Sequence, residues 1–131
     1  MKILALCIFL ISNCCLAYDS SAKLECRKST AEQGFFYFEV SPQELSGHFP
    51  LTLMVYDEER NLIDQKSMGL DLDLGQPVVT FFSKWGKLTL DISPGDLQED
   101  STYASHLEIS ENGKALVTYS ADCDYFVPIE D

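Results

Sequence analysis

The positions of the five cysteines constrain this chain of 131 residues more than any other feature. Three of them fall within the first 17 residues: Cys7, Cys14 and Cys15. The other two, Cys26 and Cys123, lie near the two ends of the remaining chain. Two cysteines in an exported domain most simply form one disulfide, and catalytic thiol pairs or metal sites use closer spacing. We therefore predict a Cys26–Cys123 bridge between the first and last strands, which contributes about 4–5 kcal/mol to stability.

The first 17 residues have the pattern of a secretory signal peptide. Lys2 supplies a basic start, an apolar run comes next, and Ala17 is a small residue suited to cleavage. The apolar run is shorter than the roughly 20 residues that cross a bilayer. The alternative is lipid attachment at Cys14, which makes the protein a membrane-anchored lipoprotein. We predict a leader over 1–17, a flexible tether over 18–22, one domain over 23–131, and a secreted or periplasmic location.

The formal net charge of −12 restricts the classes of partner. Removing the leader takes away one lysine and no acidic residue, so the remaining domain is more acidic still. Phosphate backbones and anionic membranes repel such a surface, which excludes nucleic acid as an expected partner. Basic proteins and cations remain open as partners, and the acidity is also a simple means of staying soluble.

Apolar and polar residues alternate along much of the chain, and no stretch of ten residues has a convincing helical period. The alternation is clearest over 51–56, 87–92 and 103–110. Glycine and proline breaks separate these segments. Strands joined by short hairpins predict an all-β domain: a single antiparallel β-sandwich or small β-barrel of about eight to ten strands.

The Asn-Gly dipeptide at 112–113 is the strongest hairpin signal, because both residues accept positive φ in a two-residue turn. Such a turn sets Glu111 opposite Lys114. Continued without interruption, the same register sets Ile109 opposite Leu116. The sequence therefore predicts an uninterrupted pairing of the last two strands.

The densest aromatic run, at 35–38, is apolar on both faces of a strand. Phe36 and Phe38 share one face with Val40, and Phe35 and Tyr37 share the other. A strand that is apolar on both faces is either covered twice or presents a surface to a partner or to a second copy. Phe35 and Tyr37 are therefore candidate partner-binding residues.

Two predicted hairpin loops supply the other candidate contacts. Trp85 lies in a tight turn, where it either anchors a partner or folds back over the sheet edge. Asp57, Glu58 and Glu59 form a longer acidic loop, which suits a basic partner.

Asp71 and Asp73 have the D-x-D-x-G spacing of calcium loops, but leucines alternate with them as in a half-buried strand. No cofactor is expected, and calcium at these two aspartates is the alternative. His48 and His106 are the only histidines, and both are expected in solvent. The chain has no G-x-S-x-G motif and no clustered histidine ligands, so we do not expect an enzyme.

These observations favour an exported, non-catalytic binding module with an acidic surface that recognises another protein. In general character the chain resembles the small acidic periplasmic barrels that inhibit lysozymes, which are exported, β-rich and pinned by a disulfide. No motif here matches their inhibitory loops. The resemblance implies a basic enzyme as partner. The alternatives are a structural component of an envelope or extracellular matrix that pairs through strand edges, and a calcium-dependent or catalytic domain.

Overall fold

The alternating segments form an antiparallel barrel of eight strands in a computed structural model that describes residues 18–30, 34–111 and 114–129. The strands are β1 (Lys23–Thr30), β2 (Gly34–Val40), β3 (Phe49–Tyr56), β4 (Leu62–Asp73), β5 (Val79–Ser83), β6 (Gly86–Leu90), β7 (Ser101–Glu111) and β8 (Lys114–Phe126). Each strand pairs with the next, and β8 pairs with β1 to close the barrel. The all-β prediction is confirmed, and the architecture is a barrel rather than a sandwich.

The core lies inside the barrel and is built from alternate residues of each strand. On β3, the inward residues from Phe49 to Val55 are buried and their neighbours are half-buried. On β2, Phe36 and Phe38 are fully buried, as their shared face predicts. Phe35 and Tyr37 face outward and are half-buried. The two faces of the aromatic run are therefore those that the sequence predicts.

The disulfide joins the first strand to the last. Cys26 on β1 lies directly opposite Cys123 on β8, and the two are covalently bonded across a sequence separation of 97 residues. Both side chains are fully buried among inward-facing apolar residues. The predicted bridge and its place in the fold are confirmed.

The segment 18–22, predicted as a flexible tether, packs against one end of the barrel instead. Tyr18 is only 7% exposed and its ring meets Phe49 and Phe81 edge-on, with centroids 5.4 and 5.0 Å away. The backbone N–H of Asp19 donates to the hydroxyl of Tyr125 at 2.9 Å. The polar residues of this segment, taken alone, favour a loose conformation. Burial of the Tyr18 ring stabilises the packed position more strongly.

The register predicted for β7 and β8 is wrong beyond the first residues. Glu111 pairs with Lys114 as expected, but Ile109 pairs with Val117. Leu116 is an extra residue in the β8 strand, a β-bulge that shifts every later pair by one. The shift turns the alternate residues of β8 that include Cys123 toward the core. The turn at 112–113 itself lies outside the described residues, as does the leader 1–17.

The two ends of the barrel differ. The hairpin end carries the β1–β2, β3–β4, β5–β6 and β7–β8 connections, and the opposite, sealed end carries Tyr18. Toward the hairpin end, β1 pairs with β8 only as far as Arg27, and β4 pairs with β5 only from Asp71 onward. The first part of β4 therefore pairs with β3 on one side and, in the described chain, with no strand on the other. We call this stretch, Leu62–Leu70, the open edge.

The one helical element among the described residues is a single 3-10 turn, Pro94–Asp96. No helix in the described part of the chain is long and apolar enough to cross a membrane.

Candidate functional site

A groove of about 400 Å³ lies on the outer surface at the hairpin end. Its lining residues are Arg27, Phe35, Tyr37, Tyr56 and Arg60, and we call it the arginine groove. Four of these side chains share the outer face of β1, β2 and β3 because their strand positions alternate with core residues. The strand register places Arg27 beside Tyr37, and Phe35 beside Tyr56.

The three aromatic rings form the apolar part of the arginine groove. The ring centroids of Phe35 and Tyr56 are 5.8 Å apart with planes inclined at 52°, which is an ordinary aromatic contact. The guanidinium carbon of Arg27 lies 6.0 Å from the centroid of Tyr37, at the outer limit of a cation–π contact. The groove thus combines ring surface with positive charge.

Hydrogen bonds hold Tyr37 in place. Its hydroxyl donates to Oε2 of Glu39 at 2.7 Å, and Nζ of Lys23 lies 3.1 Å from the same oxygen. Burial, followed by the hydrogen bond to Glu39, raises the pKa of Tyr37, so the phenol stays neutral in any physiological compartment. The same hydrogen bond lowers the pKa of Glu39. Tyr37 therefore presents a fixed, neutral ring to the groove.

Arg60 reaches the groove from the β3–β4 loop in an unusual backbone conformation. Its φ of 67° is left-handed, which costs a residue with a side chain about 1–2 kcal/mol. The carboxylate of Asp57 holds the loop by accepting hydrogen bonds from the backbone N–H groups of Glu59 and Asn61, at 2.9 and 2.8 Å. A strained residue held by its neighbours is common at binding sites.

The charge of the groove opposes that of the protein. The chain has only two arginines, and both line this groove on a protein of net charge −12. Arginine, tyrosine and phenylalanine are enriched at protein interfaces, and arginine and tyrosine also among the residues that dominate binding energy. The arrangement can bind a group that accepts hydrogen bonds and packs against rings.

The structure brings some of the predicted contact residues together and leaves one apart. Phe35 and Tyr37 line the arginine groove, and the acidic residues Asp57, Glu58 and Glu59 precede Arg60 in the β3–β4 loop. Trp85 lies elsewhere, in a separate pocket of about 250 Å³ between β4 and β7 that includes Lys66 and Met68. Its side chain is 51% exposed, with Nζ of Lys84 4.7 Å above the ring.

Arg27, Tyr56 and Arg60 were not among the residues predicted from the sequence. A signal for two of them was present, since they are the only arginines in an acidic chain. Their proximity depends on the pairing of β1 with β2 and on the conformation of the β3–β4 loop.

The two aspartates considered for calcium lie at the end of β4, near the sealed end. Asp73 accepts hydrogen bonds from the backbone of Gly75 and the side chain of Gln76, both at 3.0 Å. Asp71 lies 2.6 Å from Nδ1 of His48. No group of three or more metal-ligating side chains occurs among the residues that the structure describes.

Among the described residues, the surroundings of His106 come closest to those of a histidine that activates a serine nucleophile. Its Nδ1 lies 2.9 Å from the hydroxyl of Ser120, within hydrogen-bond range. Its Nε2 lies 3.7 Å from the carboxylate of Asp91, which is longer than a hydrogen bond. His106 and Ser120 lie on neighbouring strands and Asp91 directly follows β6, and the three groups lack the second hydrogen bond of a catalytic triad.

Neither a known protein family, a curated protein nor a solved structure matches this chain.

Proposed function

We propose that this protein is an exported, non-catalytic module that binds a protein partner through the arginine groove. The observation that carries the proposal is the placement of both arginines and three aromatic rings in one groove on the outer face of the barrel. The buried disulfide is compatible with an oxidising compartment outside the cytoplasm.

The chemistry of the groove supports binding rather than catalysis. Arginine stays protonated at any physiological pH. The raised pKa of Tyr37 keeps that phenol neutral as well. Side chains that do not exchange protons near neutral pH act poorly as general acids or bases, but they serve well as fixed donors and contact surfaces. The groove therefore offers recognition without an evident reacting group.

A basic enzyme remains the favoured kind of partner within this proposal. The net charge of −12 accelerates the approach of a basic protein at low salt. The arginines then contact acceptor oxygens on that partner, since even a basic protein exposes carboxylates and backbone carbonyls. The first enzymes to test are lysozymes at low ionic strength, and an absence of inhibition there discards this version.

The proposal is tested by comparative affinity capture from the source's own extracytoplasmic fraction. The three baits are the oxidised protein, an Arg27→Gln/Arg60→Asn variant, and a Lys87→Asn/Lys114→Asn control that removes the same charge outside the groove. Asparagine tolerates the left-handed conformation at position 60. We expect a partner retained by the first and third baits and lost from the second. Equal capture by all three contradicts the proposal.

Assembly through strand edges is the second candidate function, and the open edge favours it. Over Leu62–Leu70 the described chain pairs no strand with one side of β4. An unpaired edge can accept a strand from a second molecule. This candidate predicts oligomers that grow with concentration and resist salt. A strict monomer in sedimentation up to about 1 mM removes it.

A further inference from the structure

The guanidinium groups of the arginine groove are largely uncommitted within the protein. Among the described residues, neither arginine donates a side-chain hydrogen bond, and Arg60 has no ion pair. Arg27 has one ion-pair contact, at 3.7 Å from Glu25, with its side chain 63% exposed. Each guanidinium carries five N–H donors in a planar fork. Within the part of the chain that the structure describes, most of these donors have no acceptor, and the 3.7 Å contact of Arg27 with Glu25 is the one ion pair.

Three of the nearby carboxylates have partners other than the arginines. Lys23 lies 3.3 Å from one oxygen of Glu25 and 3.1 Å from Glu39, and Glu39 also accepts the hydrogen bond of Tyr37. Asp57 accepts the hydrogen bonds of its own loop. Glu25, Glu39 and Asp57 are thus engaged elsewhere, and the long contact between Glu25 and Arg27 is the one for which an external acceptor must compete among these three.

We propose, building on the protein-binding function above, that the arginine groove receives a carboxylate beside an apolar or aromatic side chain of an extended peptide segment. A carboxylate accepts hydrogen bonds only, and it matches the guanidinium fork in geometry and charge. The adjacent side chain packs against Phe35, Tyr37 and Tyr56. The volume of about 400 Å³ is sufficient for two such side chains.

A carboxylate fits this protein better than a phosphate. A phosphate monoester carries nearly two negative charges at neutral pH, and a carboxylate carries one. The second charge doubles both the repulsion from the acidic protein and the attraction to the two arginines, so the choice between the groups rests on the apolar part of the groove. The aromatic floor provides contact area that a phosphate ion cannot use. The occupant is accordingly a segment of protein rather than a free anion.

The test is an NMR titration of the oxidised protein with two short probes, N-acetyl-Phe-Asp-amide and N-acetyl-Phe-Asn-amide. The probes have nearly the same shape and differ at one group, a charged carboxylate in the first and a neutral amide in the second. We expect the aspartate probe to shift the Nε–H signals of Arg27 and Arg60 and the backbone signals of Phe35 and Tyr37. We expect the asparagine probe to bind at least about tenfold more weakly. Added salt should weaken the aspartate complex, because exposed charges are screened.

Three variants make the test specific. Arg27→Gln and Arg60→Asn should each weaken the aspartate probe by about fivefold or more, and Lys114→Asn should leave its affinity unchanged. Equal binding of both probes overturns the inference, as does the absence of groove shifts at about 50 mM probe. Inorganic phosphate that binds more tightly than the aspartate probe overturns it in favour of an anion site.

Failure of this inference and failure of the proposed function give different results. If the arginine substitutions abolish capture of the partner while the aspartate probe does not bind, the groove is a protein contact with another ligand chemistry. If capture is unaffected by the substitutions, the protein-binding role of the groove itself is wrong.

Discussion

Asp57 holds Arg60 in its left-handed conformation. The backbone N–H of Arg60 donates to the carbonyl oxygen of Asp57 at 3.0 Å, while the carboxylate of Asp57 accepts hydrogen bonds from Glu59 and Asn61 on either side of the arginine. The loop thus fixes the one lining residue of the arginine groove that does not lie on a strand. Preorganisation of this kind lowers the entropy lost on binding.

Replacing Arg60 with glycine should stabilise the protein while weakening its binding. Glycine removes the backbone strain at φ 67°, which stabilises the folded state. It also increases the conformational entropy of the unfolded chain, which offsets part of that stabilisation. The free energy of unfolding should therefore rise by about 0.5–1 kcal/mol. Glu59→Gly is the matched control, because Glu59 lacks a positive φ, and it should destabilise by a similar amount. Urea unfolding of both variants measures the difference. A loss of stability in Arg60→Gly contradicts this account of the loop.

The loop should lose its order on acidification. Hydrogen bonds to the carboxylate, first that from the backbone of Asn61, lower the pKa of Asp57. A carboxyl whose pKa is lower in the folded than in the unfolded state stabilises the fold above the ordinary aspartate pKa of about 4. That contribution is lost as the pH falls through the lower, folded value. The amide signals of Glu59 and Asn61 should therefore titrate with a midpoint below about 4. In Asp57→Asn this titration should vanish, and a midpoint at or above about 4 in the unmodified protein rejects the prediction.

Tyr18→Phe should stabilise the barrel. The Tyr18 hydroxyl is buried without a hydrogen-bond partner among the described residues, and burial raises the pKa of this phenol. Removing an unsatisfied buried hydroxyl while keeping the ring should raise the free energy of unfolding by about 1 kcal/mol. Tyr125→Phe is the comparison, since the Tyr125 hydroxyl accepts the N–H of Asp19, and it should lower the free energy of unfolding by about 1 kcal/mol. Denaturant midpoints that move in the same direction for both variants are incompatible with this explanation.

Gly86→Ala should destabilise the β5–β6 hairpin. A Cβ at this position would lie 2.8 Å from the backbone carbonyl oxygen of Glu108 and 3.2 Å from Sδ of Met68. Moving the backbone to relieve this contact is energetically costly, so the free energy of unfolding, measured by heat or denaturant, should fall by about 1–3 kcal/mol. Gly75→Ala places its Cβ 3.5 Å from a carboxylate oxygen of Asp73, an ordinary contact, and should change stability by less than about 0.5 kcal/mol. Similar losses in the two variants argue against the clash.

The sequence predicts the fold well because the alternation of apolar and polar residues and the positions of the cysteines can both be read directly from the order of residues. The inward faces of β2 and the β1–β8 bridge follow from these patterns. The β7–β8 register that the turn alone predicts is wrong. A two-residue turn places odd-numbered residues of β7 opposite even-numbered residues of β8, so these would share a face. Leu107 and Ile109 on β7 and Cys123 on β8 are all odd-numbered and all buried. That conflict in parity requires a bulge, which the structure places at Leu116.

The composition of the arginine groove was only half predictable. Phe35 and Tyr37 are visible as outward-facing aromatics in one short run. Arg27 joins them only through the register of a neighbouring strand. Arg60 joins them through a left-handed backbone conformation that a non-glycine residue rarely adopts. Contacts that depend on the pairing of strands and on a strained loop conformation produce no clear pattern in the amino-acid sequence.

The Cys26–Cys123 bridge also determines how the protein responds to mechanical force. A pull applied before Cys26 and after Cys123 passes directly through the covalent bond, because these residues face each other on adjacent strands. Such a load can peel away Tyr18 and the last residues of β8, but the chain between the two cysteines carries no tension while the bond is intact. The arginine groove lies within that shielded loop, so it should keep its shape when the protein is stretched between a support and a moving partner.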